Sequence, residues 1–368
     1  CLFKYRSFAI DMKKVDSLRF YARFDGKVYP VEGTLERLSG TLEIDEKDNK
    51  SSVRETPDYP QFHCPGNAYK FYRDINEGVF AFELPDDTLT NEDLAGKFYY
   101  SLDPFSVKRL DNLNSDEISF KGRLVSGGIF PEINQPLVVM DDHSLGFRHV
   151  IGNGTSDSYP MYGGKGDFHQ EVFLSNDGFY GQGKLNVETA EFAAPRFDMY
   201  LDSVTAEAQT FAMRESGTGV HFPKATCGPL DLKWDLVVSQ LFTTTKDEPI
   251  CMYDSTFFRG VTMLNENGYR GDGELNFGLT RFNSRYFDFD THSFVADSSD
   301  FVLYDNDATT KAFLAANYRS LVNLASKKVQ YQYLDSKSNL DFPLNKFFCS
   351  LQEAEWDMTA NTIHLFSP

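Results

Sequence analysis

Apolar and polar residues alternate along much of this chain with a period of two. Leu185 and Val187 alternate with Lys184, Asn186 and Glu188; Phe197, Met199 and Leu201 alternate with Asp198, Tyr200 and Asp202; Val204, Ala206 and Ala208 alternate with Thr205, Glu207 and Gln209. Side chains of an extended strand point alternately to opposite faces, so this pattern predicts strands with one face buried and the other in water. Clusters of Gly, Asn and Asp separate the runs, and these residues tolerate the positive φ that hairpin turns require.

The pattern recurs. Leu174–Met213 and Leu264–Leu303 are displaced by 90 residues without a gap and agree at 12 of 40 positions. The shared residues include Gly178/Gly268, Gly181/Gly271, Gly183/Gly273, Leu185/Leu275, Phe192/Phe282, Phe197/Phe287, Asp198/Asp288 and Phe211/Phe301. Most are turn glycines or apolar residues at every second position, which specify a fold rather than a reaction. The segment ISFKGRLVSGGIF (118–130) resembles the leading strands DFHQEVFLSNDGFYG (167–181) and STFFRGVTMLNENGYRG (255–271), so three leading hairpins are expected.

Upstream, Leu18, Phe20, Ala22, Leu35, Leu42 and Ile44 alternate in the same manner, with Gly26, Gly33 and Gly40 between them. Short strands are expected at FAFEL (80–84) and KFYYSL (97–102), with a helical turn or two over Thr90–Gly96, capped by Thr90. Asp45–Arg54 reads as a surface loop. The segment 307–328 is ambiguous, because Leu314, Tyr318, Leu321, Val322 and Ala325 fall at helical spacing. Shifting by 102 residues sets Phe313 against Phe211 and Val322 against Val220, in a region whose glycines and proline exclude a helix interior, so strand is the preferred reading.

These observations predict an all-β fold with few or no long helices: an elongated repeat array of stacked short strands, either a β-solenoid or an open curled β-groove. Residues 1–115 are expected to form an irregular β-rich N-terminal segment. Residues 116–368 are expected to form the array, with copies near 167–256 and 257–368.

Composition agrees with a folded β protein, with 41% hydrophobic residues and 15% aromatics carried by 34 Phe and 19 Tyr. A formal charge of -18 repels nucleic-acid phosphates, so nucleic acid is not an expected partner. No run approaches the roughly 18 apolar residues of a transmembrane helix, so no span is expected. The five cysteines (Cys1, Cys64, Cys227, Cys251, Cys349) form no C-x-x-C pair. Cys227 and Cys251 are close enough to pair across neighbouring strands, and free buried thiols are the other reading. Cys1 is expected to lie inside a longer polypeptide rather than to carry a lipid, since Leu2, Phe3 and Lys4 follow it.

The candidate chemistry is sparse. Asp288, Asp290 and His292 have a D-x-D-x-H spacing that would set three ligands on one strand face, and Asp141, Asp142 and His143 are adjacent. Only Asp288 has an aspartate counterpart in the other copy, so a solvated face is the better reading. His169 and His221 fit no catalytic motif, and Gly163–Gly166 lacks the Ser/Thr and helix of a phosphate loop, so a turn is expected. No catalytic residue, metal ligand or cofactor site is assigned.

The segments GKGDFHQEVFLSNDGFYGQGKLN, TTTKDEPICMYDSTFFRGVTMLNENGYRGDGELNF and DFPLNKFFCSLQEAEWDM resemble parts of large, functionally uncharacterised β-repeat proteins of Bacteroidota cell envelopes. The resemblance covers roughly residues 30–368 and implies a location in the periplasm or at the outer-membrane surface, within a longer parent chain. The triplets beginning at Asp16, Asp87, Asp202 and Asp254 are similar to the Asp-Ser/Thr-apolar O-glycosylation sites of exported proteins in that phylum. The expected function is a non-enzymatic structural and interaction scaffold whose partners are other envelope proteins. A lipid or glycolipid conduit through an apolar groove is the first alternative, and a polysaccharide-binding or polysaccharide-hydrolysing module the second.

Overall fold

In a computed structural model the chain is all-β, with a single-turn helix at Asn91–Leu94. Residues 1–66, 68–72, 75, 91–152 and 157–366 are described. The expected strand at Phe80–Leu84, the Thr90 cap and the triplet beginning at Asp87 lie outside them. The chain divides into two compact units, Cys1–Gly183 with Asp198–Asp202, and Lys184–Phe197 with Ser203–Pro368.

In the first unit, Leu2–Lys4, Ala9–Leu18, Leu35–Glu43, Ala68–Phe71, Phe98–Leu102 and Gly122–Ser126 follow one another across a sheet, to which Gln61–Cys64 is added on Leu35–Glu43 and Phe105–Val107 on Gln61–Cys64. Leu35, Leu38, Phe62, Ala68, Phe98, Tyr100 and Leu124 form its buried side. A smaller sheet pairs Tyr21–Phe24 with Lys27–Pro30 and, in parallel, with Leu113–Asn114. The loop after Ile44 closes around Asp45, whose carboxylate accepts from Thr56 Oγ1 (2.6 Å), Asn49 Nδ2 (2.8 Å) and the Glu46 amide (2.7 Å). Such bonds favour the ionised carboxyl and hold it below its ordinary range, the Thr56 hydroxyl contributing most.

The three leading hairpins expected from sequence reduce to two. Gly166–Ser175 with Gly178–Val187, and Thr256–Asn265 with Gly268–Phe277, are long adjacent strands joined by two-residue turns. Ile118–Phe130 is not a hairpin: Ser119–Phe120 pairs with Leu137–Val139, whereas Gly122–Ser126 joins Phe98–Leu102 in the other sheet. The backbone turns at Gly122, with φ +155, and a Cβ there would meet the carbonyl of Ser101.

Strand bounds repeat at the sequence offset. Gly166–Ser175, Gly178–Val187 and Ala190–Met199 are followed 90 residues later by Thr256–Asn265, Gly268–Phe277 and Thr280–Phe289. Ser203–Ala208 and Thr210–Met213 are matched by the continuous strand Ser293–Tyr304. Burial follows: Ala190, Phe192, Ala194, Phe197 and Met199 point inward in one, and Thr280, Phe282, Ser284, Phe287 and Phe289 in the other. In both the alternation skips after the third inward residue. At Ser284 the skip is a bulge, where the Ser284 hydroxyl accepts from the Tyr286 amide (3.0 Å) and donates to the carbonyl of Asp297 (2.5 Å).

The ladders of the second unit include antiparallel pairings of Val204 with Trp234, Leu241 with Leu264, and Phe294 with Val322. Phe282, Phe287, Phe301 and Phe313 are at most 1% exposed. The rings of Phe282, Phe301, Phe313 and Tyr331 run in contact, with centroids 4.6 Å apart for Phe282 and Phe301 and 5.3 Å for Phe301 and Tyr331, while Phe287 packs 6.1 Å from Phe294. Buried hydroxyls pair across strands, Thr243 with Thr262 at 2.5 Å and Ser299 with Ser320 at 2.7 Å, whereas the buried hydroxyls of Thr256, Tyr269 and Tyr331 make no such hydrogen bond among the described residues.

The ambiguous segment is strand over Lys311–Asn323, with Phe313, Ala315, Tyr318 and Val322 inward. The 102-residue shift does not hold in space, because Val220 lies in the loop between Thr210–Met213 and Ala225–Cys227. Cross-strand partners give the true counterpart. Phe211 faces Cys227 and Val204 faces Trp234, as Phe301 faces Ala315 and Phe294 faces Val322. Lys311–Asn323 therefore corresponds to Ala225–Cys227 plus Leu230–Asp235, and tertiary pairing overrides its helical propensity.

Candidate functional site

The D-x-D-x-H triplet does not share a strand face. Its strand ends at Phe289, so Asp290 and His292 sit in the turn before Ser293. Each group faces a different partner: Asp288 lies 3.9 Å from Arg270, Asp290 lies 2.9 Å from His221, and His292 lies 3.8 Å from Glu215. Partial burial raises the Asp288 carboxyl above its usual range against the pull of Arg270. Backbone and His221 hydrogen bonds outweigh desolvation at Asp290 and hold it low. These contacts tie the loop after Met213 to the turn before Ser293, and Tyr253 reinforces them by donating toward the carbonyls of Asp290 (2.8 Å) and Ser293 (2.9 Å). Among the described residues no group of three or more His, Cys, Asp or Glu side chains is placed to hold a metal ion.

Asp142 and His143 shape a turn. Asp142 accepts from the Ser144 amide (3.0 Å) and hydroxyl (2.7 Å), and His143, with φ +66, stacks 4.0 Å from Phe24. Gly163 and Gly164, with φ +73 and +88, make the turn between Ser158–Met161 and Gly166–Ser175. His169 lies on Gly166–Ser175 opposite Ser158. The five cysteines are free thiols, and the partner of Cys251 across the ladder is Thr226 rather than Cys227.

Two cavities of the first unit escaped sequence reasoning. One, of about 500 Å³, lies over a polar row formed by Asp11, Thr41, His63 and Ser106, which are direct cross-strand neighbours on four adjacent strands. Thr41 donates to Asp11 at 3.1 Å, and His63 Nδ1 lies 2.7 Å from Ser106 Oγ. That distance suits a nucleophile and its base, but the third member is missing. Glu43 Oε2 accepts from Gln61 at 2.6 Å and stands 3.7 Å from His63 Nε2, so no hydrogen bond among the described residues reaches that ring nitrogen. The row is a register contact of the sheet.

The other cavity, of about 440 Å³, is lined by Arg19, Tyr21, Glu32, Glu36, Lys70 and Asn176 among others. Lys70 is 6% exposed, runs 4.7 Å over the Tyr72 ring and reaches 3.5 Å from Asn176 Oδ1. Its ammonium lies against Gly33, where a Cβ would come within 2.6 Å of Nζ. A side chain there would displace the lysine tip and would also have to adopt φ +99. The backbone of Glu32 is fixed on both sides, its amide donating to His143 O (2.8 Å) and its carbonyl accepting from Leu145 (3.2 Å).

No family model, curated protein or solved structure matches this chain. Both cavities are assembled from remote segments, Asp11 to Ser106 in one and Arg19 to Asn176 in the other, a proximity that no local motif announces. The one local signal was Gly33 in a polar stretch, and glycines in that stretch are too common to single it out.

Proposed function

We propose that the chain is a non-enzymatic structural and interaction scaffold of a bacterial cell envelope, built as a repeat and working in the periplasm or at the outer-membrane surface. The observation that carries this reading is the recurrence of strand bounds and inward residues at a constant 90-residue offset from Gly166 to Tyr304. What recurs is glycine at the hairpin turn (Gly178/Gly268) and within the strands (Gly181/Gly271, Gly183/Gly273), with Phe, Leu and Ala in the core, whereas His169, Asp290 and His292 have no like residue in the other copy. A chain selected for repeated chemistry would repeat its reactive groups. Rings packed against rings at most 1% exposed support a filled interior over an acyl-chain conduit. The envelope location is supported by the sequence resemblance of the repeated segments.

The test is to isolate the native protein with its surroundings and identify what accompanies it and what it turns over. Stable protein partners, without bound lipid or cleaved glycan, are expected. Acyl chains recovered from its interior, or a hydrolysis abolished by removing one carboxylate, would overturn the reading.

A further inference from the structure

We infer that the cavity bordered by Tyr21 and Lys70 in the first unit binds a neutral saccharide. Its volume of about 440 Å³ lies within the range of small-ligand sites. The chemistry of its walls narrows the ligand. Arg19 and Lys70 bring two positive charges and Glu32 and Glu36 two negative ones, all lining one space. An anion would meet both carboxylates, a cation would meet both bases, and an apolar ligand would strip water from four charged groups without replacing it. A polyhydroxylated ring avoids each penalty, because every hydroxyl both donates to a carboxylate and accepts from a guanidinium or ammonium.

The apolar side of a sugar ring also has a place to rest. Tyr21 is 61% exposed and lies directly opposite Pro30 on the paired strand, so a flat phenol ring and a pyrrolidine border the cavity side by side. An exposed aromatic ring gives C–H groups of a sugar a polarisable platform at little entropic cost.

The backbone of the site and its buried lysine are tied down by contacts within the chain. Tyr21 and Pro30 are ladder partners, the Val31 amide donates to Phe20 O at 2.8 Å, and Lys70 is held by burial, Tyr72 and Asn176. Fixed donors in a partly dry wall lose little freedom on binding. This inference does not rest on the scaffold reading, since the cavity's lining, apart from Asn176 in one hairpin turn, lies outside the repeated segments and would serve any parent function.

The experiment titrates the full chain with neutral cellohexaose, xylohexaose and chitohexaose, and with polygalacturonate and spermine as charged controls. Calorimetry and saturation-transfer NMR provide the readouts. At least one neutral oligosaccharide is expected to bind with Kd below about 1 mM and to receive saturation from aromatic protons. Tyr21→Ala is expected to weaken it about tenfold while Tyr21→Phe keeps it, and Arg19→Ala to weaken it severalfold. Both side chains are exposed, so unchanged thermal melts for these variants show that folding is intact. Binding of the charged controls alone, no binding across the neutral set, or binding indifferent to Tyr21→Ala would overturn the proposal. None of these results bears on whether the chain holds envelope partners.

Discussion

Replacing Gly273 with alanine separates two costs that glycine positions usually confound. Gly273 has φ +157 and faces Gly260 across the hairpin, and a Cβ there would lie 2.1 Å from the carbonyl oxygen of Arg259 and 2.9 Å from the Gly260 Cα. Both atoms are backbone, so no side chain can swing away. The hairpin must open by about an ångström, sacrificing one or two ladder hydrogen bonds at roughly 1 kcal/mol each. The unfavourable φ adds about 1–3 kcal/mol, giving a total of roughly 2–5 kcal/mol. Gly268 is the control, since its φ is +141 but the nearest atom to its Cβ, an oxygen of Asp288, is 4.0 Å away. Gly268→Ala therefore bears the φ term alone, about 1–3 kcal/mol. Urea unfolding followed by far-UV circular dichroism should place the Gly273→Ala midpoint clearly below that of Gly268→Ala. Gly183→Ala should behave like Gly273→Ala, because its Cβ would meet His169 O at 2.3 Å. Equal losses at Gly268 and Gly273, or an unmoved midpoint for Gly273→Ala, would refute the argument from close approach.

Phe282, which is fully buried and in ring contact with Phe294 and Phe301, should cost about 3–5 kcal/mol when truncated to alanine, read as a lower urea midpoint with an unchanged slope. Burial lowers the pKa of His149, which bonds Gln135 and Tyr159, so the unfolded chain binds a proton that the folded chain resists. Stability should therefore be full above the unfolded value near 6.5, fall as pH drops below it and level off beneath the lower folded value, and His149→Gln should flatten that fall. Burial pushes the Cys64 thiol up while Cys1 is exposed, so iodoacetamide followed by peptide mass spectrometry should label Cys1 first and Cys64 only after unfolding.

Strand identity was legible wherever one face meets water, because burial on one side of a pleated strand writes a period of two into the sequence. The alternation around Leu185, Phe197 and Val204 and the 90-residue recurrence therefore sufficed to predict an all-β chain and the positions of its long hairpins. Gly183 and Gly273 were visible as recurring glycines, although the cross-strand oxygens that exclude a Cβ were not. The sequence alone could not divide Ile118–Phe130 between two sheets, because pairing partners are chosen by contacts remote in the chain. It could not end a strand at Phe289 before Asp290 and His292, so three residues that share a face on paper are split by a turn in space. Nor could it bring Arg19, Glu32, Lys70 and Asn176 to one cavity. Alternation is a local consequence of backbone geometry and is readable residue by residue, whereas register and cavity walls are set by which distant strands bury each other best, and only the tertiary structure decides that.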